Sequence, residues 1–319
     1  MIPPAHPDVA VIVPTLRRPD SLERALRSLM AQTGVADRLR EIVVADNDPE
    51  GSARGLVEGL ATESPVPVLW RHAPVPGVAT ARNTGLAATT APLIAFLDDD
   101  EAAAPDWLAQ LIRAHEALGA DVTFSPIRGM TPEGTGWARP YLDRFFGREG
   151  PAEDRLIDEP YGCGASLMTR ATALPGPAPF DVEADQTGGE DDALFTAVRA
   201  RGGRFGWAAN AWVEEYAPPH RATLGYALRR AFAYGQGPSQ EAARERRPLA
   251  LIKWMAVGVV QTGMYGLKAA LLTLLDRPSR AEALDRAARG LGKVLWMPGL
   301  EPRFYGQAEI DRLARVAGR

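Results

Sequence analysis

Apolar and polar positions fall into alternating blocks along the first hundred residues. VAVIVP (9–14) is a β-branched run closed by proline, and in TLRRPDSLERALRSLMAQ (15–32) Leu22, Leu26 and Leu29 repeat at the spacing of one helix face. This pattern predicts a strand, a loop and a helix capped by Ser21 or Asp20, with Glu23 near its positive end. EIVVADND (41–48) reads as a second strand ending in acids, SARGLVEGLATE (52–63) as a helix, and VPVLWRHA (66–73) as a third strand. PGVATARNTGLAAT (76–89) supplies another helix, and LIAFL (93–97) another strand. Strand and helix alternate, so the expected class is α/β: a mostly parallel central sheet with helices on both faces.

Beyond residue 105, PDWLAQLIRAHEALG (105–119) is amphipathic and helical, with proline at an early position. ADVTFSPI (120–127) is a strand, and TPEGTGWARP (131–140) is loop. Residues 141–160 show no periodicity that assigns them. YGCGASLMTR (161–170) enters a strand through a glycine-rich turn, and TGGEDDALFTAVRARG (187–202) enters a helix closed by glycines. Neither an internal repeat nor a low-complexity segment interrupts the 319 residues.

Ligands of open α/β sheets bind beyond the carboxyl ends of the strands. Asp46, Asp48, Asp98, Asp99 and Asp100 all fall at such ends. Massed carboxylates repel one another unless a cation or hydrogen-bond donors offset them. An Asp-x-Asp pair, Asp98 and Asp100, suits magnesium or manganese carrying a diphosphate, because these hard ions combine few carboxylates with water and phosphate oxygens. A solvated acidic loop is the plainer alternative, and the fully apolar run just before it argues against that. A second acidic cluster, GGEDDALF (188–195), opens a helix whose dipole favours ionised Asp191, a general-base candidate beside Glu190.

Composition and charge refine the picture. The chain is 46% hydrophobic and 24% charged, ordinary for a globular protein. Its single cysteine, Cys163, excludes an intrachain disulfide and a thiolate-rich zinc site, which favours the cytosol. The opening residues carry no basic-then-apolar secretory pattern, so the mature chain is expected to begin near Met1. The net charge of -4 hides a split: residues 1–220 hold 19 basic and 32 acidic side chains, residues 221–319 hold 17 and 8. A basic tail points to an anionic surface. Nucleic acid is not expected, since the basic residues are interleaved with a long apolar segment rather than with base-stacking aromatics. That segment, LALIKWMAVGVVQTGMYGLKAALLTLL (249–275), has fourteen uncharged residues between Lys253 and Lys268, short of the roughly 20 a spanning helix needs. With Lys253, Lys268 and Gln261 grouped on one side of the wheel and Arg244, Arg246 and Arg247 flanking it, it reads as a helix in the membrane interface; packing within the protein is the alternative.

In combination, VAVIVPTLRR, IVVADND, PGVATARNTGLAATTAPLIAFLDDDE with PDWL, CGASLMTR and GGEDDALFTAVRARG resemble the family 2 inverting glycosyltransferases of the GT-A fold, over about residues 8–235. The whole pattern, including the tail, is similar to bacterial exopolysaccharide glucosyltransferases. The resemblance implies a GT-A catalytic domain over 1–235 and a helical, basic and apolar region over 236–319. It implies Pro14 and Thr15 lining the nucleotide pocket, Asp46 accepting from the base, typically uracil, and Arg82 approaching the nucleotide. Asp98 falls toward ribose or metal, Asp100 becomes the direct metal ligand, and Asp99 leaves the register of the acidic motif open. Asp191 becomes the catalytic base with Glu190 beside the acceptor. Gly164 lies in a loop expected to contact the sugar, and His220, Arg221, Arg229 and Arg230 lie in the segment that closes over the donor. The implied cofactor is Mn2+ or Mg2+. The implied partners are a nucleotide-sugar donor, probed first as UDP-sugar, and a glycan or lipid-linked sugar acceptor, at the inner face of the cell membrane.

Rivals fit the residues less well. An aspartate-nucleophile phosphatase wants threonine or valine where Ala102 stands, and leaves GGEDDALF unexplained. A nucleotidyltransferase opens with a glycine-rich loop and lysine where this chain has PTLRRPD, and a dinucleotide dehydrogenase needs a GxGxxG that is missing there. An inactive sugar-nucleotide-binding protein is disfavoured by two intact acidic clusters.

Overall fold

The structure, a computed structural model, describes residues 8–186, 189–302 and 304. In chain order the elements are β1 (Val9–Thr15), α1 (Pro19–Met30), β2 (Leu39–Asp46), α2 (Arg54–Ala61), β3 (Val68–His72), α3 (Val78–Ala87), β4 (Leu93–Phe96), β5 (Glu101–Ala103), α4 (Trp107–Leu118), β6 (Val122–Phe124) and β7 (Ile127–Met130). There follow α5 (Arg139–Phe146), β8 (Arg155–Ile157), β9 (Ser166–Thr169), α6 (Arg170–Ala173), α7 (Glu190–Ala200), β10 (Phe205–Trp207), β11 (Val213–Tyr216), α8 (Leu224–Arg244), α9 (Pro248–Leu274) and α10 (Arg280–Val294). Packing divides the chain into two units: residues 8–128 and 148–216 with Phe304, and residues 129–302 less that stretch. Position 235, the boundary expected from sequence, falls inside α8.

Among the described residues the first unit holds an eight-stranded sheet in the order β3-β2-β1-β4-β9-β6-β10-β8. The four N-terminal strands are mutually parallel. β9 runs antiparallel between β4 and β6, and β8 closes the far edge antiparallel to β10. The sheet is therefore mixed, with the expected parallel half carrying the acidic strand ends. Every residue of β1 is buried, because strands flank it on both edges and side chains cover both faces. Val9, Val11 and Val13 join the core under α1 and α4; Ala10 and Ile12 join the opposite core with Phe96, Phe124 and Phe195. Strand alternation alone produces that division.

Register delivers the site residues to one edge. Thr15 pairs with Asp46, and Phe96 pairs with both Ile12 and Ser166. The residues after Thr15, Asp46 and Phe96, and those before Ser166, therefore emerge side by side. α1 begins earlier than its sequence suggests: Pro19 occupies the first turn and Arg18 the cap position, with no side-chain capping bond from Asp20 or Ser21. Proline's fixed φ suits that first turn and outweighs the serine.

His115, buried on α4, bonds Thr123 through Nδ1 at 2.8 Å and Thr169 through Nε2 at 2.9 Å. Burial pushes its pKa down to about 4. Because the folded value is depressed, unfolded chains bind the proton first as pH falls, so stability complete above about 6.5 is lost down toward pH 4, by about 3 kcal/mol. Urea midpoints measured between pH 7 and 4 should fall accordingly, and His115→Gln should flatten the curve; an equally steep curve in the variant would remove His115 as the cause.

In the second unit α8, α9 and α10 pack together, and the contacts run through small residues. A methyl group at Gly290 would meet Thr262 Oγ1 at 2.6 Å, and one at Gly258 would meet the Gly290 carbonyl at 2.6 Å. Gln261 turns inward and donates to the Arg286 carbonyl at 2.8 Å, so it does not share an outer polar stripe with the lysines. Lys253 and Lys268 are exposed among Leu249, Ile252, Val260, Met264, Leu267, Leu271 and Leu274, which are exposed too. Pro248–Leu274, with mean hydropathy 1.3, is the one helix among the described residues long and apolar enough to cross a membrane.

Candidate active site

The acidic strand ends are tied up very unequally. Asp99 accepts from Thr15 Oγ1 at 2.8 Å and from Arg18 Nη1 at 2.8 Å, and the same Arg18 nitrogen reaches Asp100 Oδ2 at 3.0 Å. Burial raises the Asp99 pKa, Arg18 lowers it, and the Asp100 charge raises it again. Arg18, in the loop between β1 and α1 and given no role of its own in the sequence analysis, thus supplies positive charge to two of the four adjacent acids. The Asp98 carboxylate is different: its side chain keeps 38% exposure, with Oδ1 3.6 Å from Arg82 Nη2.

Asp98 is also braced from behind. Its backbone N–H donates to Glu101 Oε2 at 2.8 Å. Glu101 is buried, and burial followed by the charges of Asp98 and Glu215 pushes its pKa well up, against the pull of Arg148. Gly164, the residue expected near the sugar, packs on these two acids: a Cβ there would sit 2.6 Å from Asp98 Oδ2 and 3.0 Å from Glu101 Oε1.

Glu190 and Asp191 open α7 after Gly189, whose φ of 93° suits glycine. Gln186 aside, the glycine-rich lead at Thr187 and Gly188 lies outside the described residues. Buried Glu190 pairs with Arg82 Nη1, across 108 residues of sequence. Burial raises the Glu190 pKa, and Arg82 only partly offsets it. Arg82 stays charged despite its burial because Asp98, Glu190 and Asp191 surround it. Its Nε has no hydrogen-bond partner among the described residues. Asp191 faces the same loop as Asp98: the Cys163 N–H donates to Asp191 Oδ2 at 3.2 Å, and the Asp192 N–H to Oδ1 at 2.9 Å. Burial holds the Cys163 thiol above its ordinary pKa, so it is not a nucleophile candidate.

At the β1–β2 end, Pro14 and Thr15 are buried at adjacent positions of β1. Asp46 is fully buried, with Oδ2 accepting from the Ala53 N–H at 2.9 Å and Trp70 Nε1 at 3.0 Å and Oδ1 from the Asp48 N–H at 3.2 Å. Three bonds to its own chain involve the carboxylate that the family resemblance directs at a nucleobase. Asp48 binds Arg17 Nη2 at 2.9 Å, and Arg17 has a φ of 53°. His220 and Arg221 lie in the turn before α8, in the second unit. Arg230, on α8, bonds the Tyr234 hydroxyl at 2.6 Å.

Several residues were not legible in advance. Asp185 accepts from the Ala79 N–H at 2.7 Å and Thr80 Oγ1 at 2.6 Å, capping α3 from 106 residues away. Asn47 joins β2 to the same helix start, accepting from the Gly77 N–H at 2.6 Å and donating to the Ala73 carbonyl at 2.8 Å. No periodicity announces such partners.

A divalent cation fits this corner in a limited way. Among the described residues no three His, Cys, Asp or Glu side chains are arranged as a cage. Two carboxylates, half-buried Asp98 and the Asp100 oxygen shared with Arg18, match an ion that takes its remaining ligands from phosphate and water.

The family model described as glycosyl transferase family 2 matches residues 10–174. The succinoglycan biosynthesis protein ExoM of Rhizobium meliloti (strain 1021) is 34% identical over 308 residues, 96% of this chain and 97% of that one. Among solved structures, the mannosyltransferase PcManGT from Pyrobaculum calidifontis, in complex with GDP-Man and Mn2+, aligns with TM-score 0.59 at 19% identity, covering 92% of this chain and 90% of that one. GalNAc-T7 with UDP, GalNAc and Mn2+ aligns with TM-score 0.52 at 18% identity, covering 74% and 51%. At such identities the structural likeness speaks to the fold, which matches the GT-A expectation.

Proposed function

Because this chain belongs to glycosyltransferase family 2, we propose that it moves a sugar, with inversion, from a nucleotide-diphosphate sugar, UDP-linked in the first instance, to a hydroxyl of a glycan or lipid-linked acceptor. The observation that carries this reading is that one short loop touches both acids: Gly164 packs on Asp98, and the Cys163 N–H holds Asp191. A carboxylate base and a half-buried, braced carboxylate held by one loop suit an inverting displacement.

Asp191 takes the proton of the acceptor hydroxyl as its oxygen attacks the anomeric carbon opposite the leaving diphosphate. The C–O bond to the diphosphate breaks as the new glycosidic bond forms, so configuration inverts without a covalent enzyme intermediate. Asp98 and Asp100 would hold Mn2+ or Mg2+, which when bound offsets charge on the diphosphate. Arg82, ion-paired with Glu190 and 3.6 Å from Asp98, ties these two acids together, and Glu190 stands beside the acceptor. Near full-length likeness to a succinoglycan biosynthesis protein supports cell-surface polysaccharide assembly as the setting. The exposed apolar face of α9, with Lys253 and Lys268 on it, supports peripheral contact with an anionic inner leaflet.

The test is release of nucleoside diphosphate from panels of UDP- and GDP-sugars with Mn2+, with and without lipid-linked oligosaccharide. UDP released in an acceptor-stimulated manner is the expected result, and in the same preparation the protein should float with vesicles containing anionic lipid but not with neutral ones. No diphosphate from any donor would end the transferase reading; GDP in place of UDP would correct the base.

A further inference from the structure

Arg148 enters from a two-residue β-bridge, its backbone exchanging bonds with Ile127 at 2.8 and 3.0 Å. Its guanidinium then meets three backbone carbonyls. Nη2 donates to Gly164 O at 2.8 Å, and Nη1 approaches Ser125 O at 3.4 Å and Ala165 O at 3.5 Å. The Tyr161 and Phe124 rings lie beneath it, with centroids 5.6 and 6.0 Å away. Nothing in the sequence distinguishes this arginine from its neighbours.

The loop it grips is under strain. Ala165 has φ of 48°, a left-handed conformation that crowds Cβ against the backbone and is unfavourable for a non-glycine residue. Such a conformation persists only where surrounding bonds over-determine it. Here Ser125 donates to the Ala165 carbonyl through its N–H at 3.1 Å and its hydroxyl at 3.0 Å, and Arg148 completes the set. On one side of the gripped carbonyls Gly164 backs Asp98, and on the other the Cys163 N–H holds Asp191.

We propose that Arg148 is a positioning residue: by clamping the carbonyls of Gly164 and Ala165 it holds the 162–165 loop so that Asp98 and Asp191 keep the separation sugar transfer requires. This rests on the transferase reading above. A planar fork suits the task, since its several donors fan out in one plane, whereas a lysine presents a compact point charge on a flexible stem. Misplacing a reacting group by about 1 Å costs on the order of 100-fold in rate, without a matching change in donor binding.

The full-length chain carrying Arg148→Met or Arg148→Lys decides it, read by steady-state turnover and by hydrogen exchange over 161–167. Both variants should lose about 100-fold in kcat with donor KM within about threefold, and exchange at the Cys163 and Ser166 amides should accelerate while β1 amides keep their protection. Arg148→Lys, which retains a cation, serves if the methionine variant does not fold. Turnover that falls only with the folded fraction, or full recovery of kcat in the lysine variant, overturns the proposal. If the wild type itself releases no diphosphate, the transferase reading fails separately; unchanged loop exchange in the variants would then overturn the clamp as well.

Discussion

Asp191→Asn is expected to lower kcat for sugar transfer about 1,000-fold while leaving donor KM within about threefold. The exchange of one oxygen for an amide nitrogen is nearly isosteric. The side-chain oxygen that remains still accepts from the Cys163 or the Asp192 N–H, so the loop and the start of α7 keep an anchor. What disappears is the capacity to take a proton from the acceptor hydroxyl, an effect confined to the transition state. Donor hydrolysis and transfer measured side by side, with titration of nucleotide binding, check it. Transfer at wild-type rate would move the base elsewhere, and Glu190, ion-paired and buried, would not be the natural replacement.

Arg82→Met should be the most damaging substitution for stability, at about 3–5 kcal/mol in urea unfolding, because removing one partner leaves Glu190 a buried carboxylate without its cation. Asp98 loses its neighbouring positive charge in the same step. The double variant Arg82→Met with Glu190→Gln should recover much of the loss, since the uncompensated charge is then gone as well. A loss below about 1 kcal/mol in the single variant, or no recovery in the double, would show that the pair is not what secures α3 to α7.

The two variants differ in how legible their residues were. The place of Asp191 at a helix start is legible in the sequence because such a start leaves a local signature: glycines, then acids, then an apolar period. Arg82 was found only through family resemblance, and its partnership with Glu190 was not found at all, since 108 residues separate them. Arg18 is the sharper case. For the acids Asp98 to Asp100 the sequence leaves a cation or hydrogen-bond donors open and favours a divalent ion, while the fold brings an arginine from the β1–α1 loop, 81 residues away, to Asp99. Asp46 shows the converse: its place at a strand end was legible, but the three donors that occupy it come from the loop after β2 and from Trp70 on β3.

The chain's own pattern determined the alternation of strands and helices, the acidic strand ends and the apolar segment that becomes α9. All are periodic or contiguous, so nearest neighbours along the chain suffice to specify them. Only the tertiary structure decided which carboxylates are spent on internal partners and which stay open, that β9 inserts antiparallel beside β4, and that Arg148 grips the loop between Asp98 and Asp191. Those outcomes depend on hydrogen bonds of about 3 Å between residues far apart in sequence, and a strand's or side chain's distant partner, unlike its own periodicity, is not written in the spacing of its neighbours.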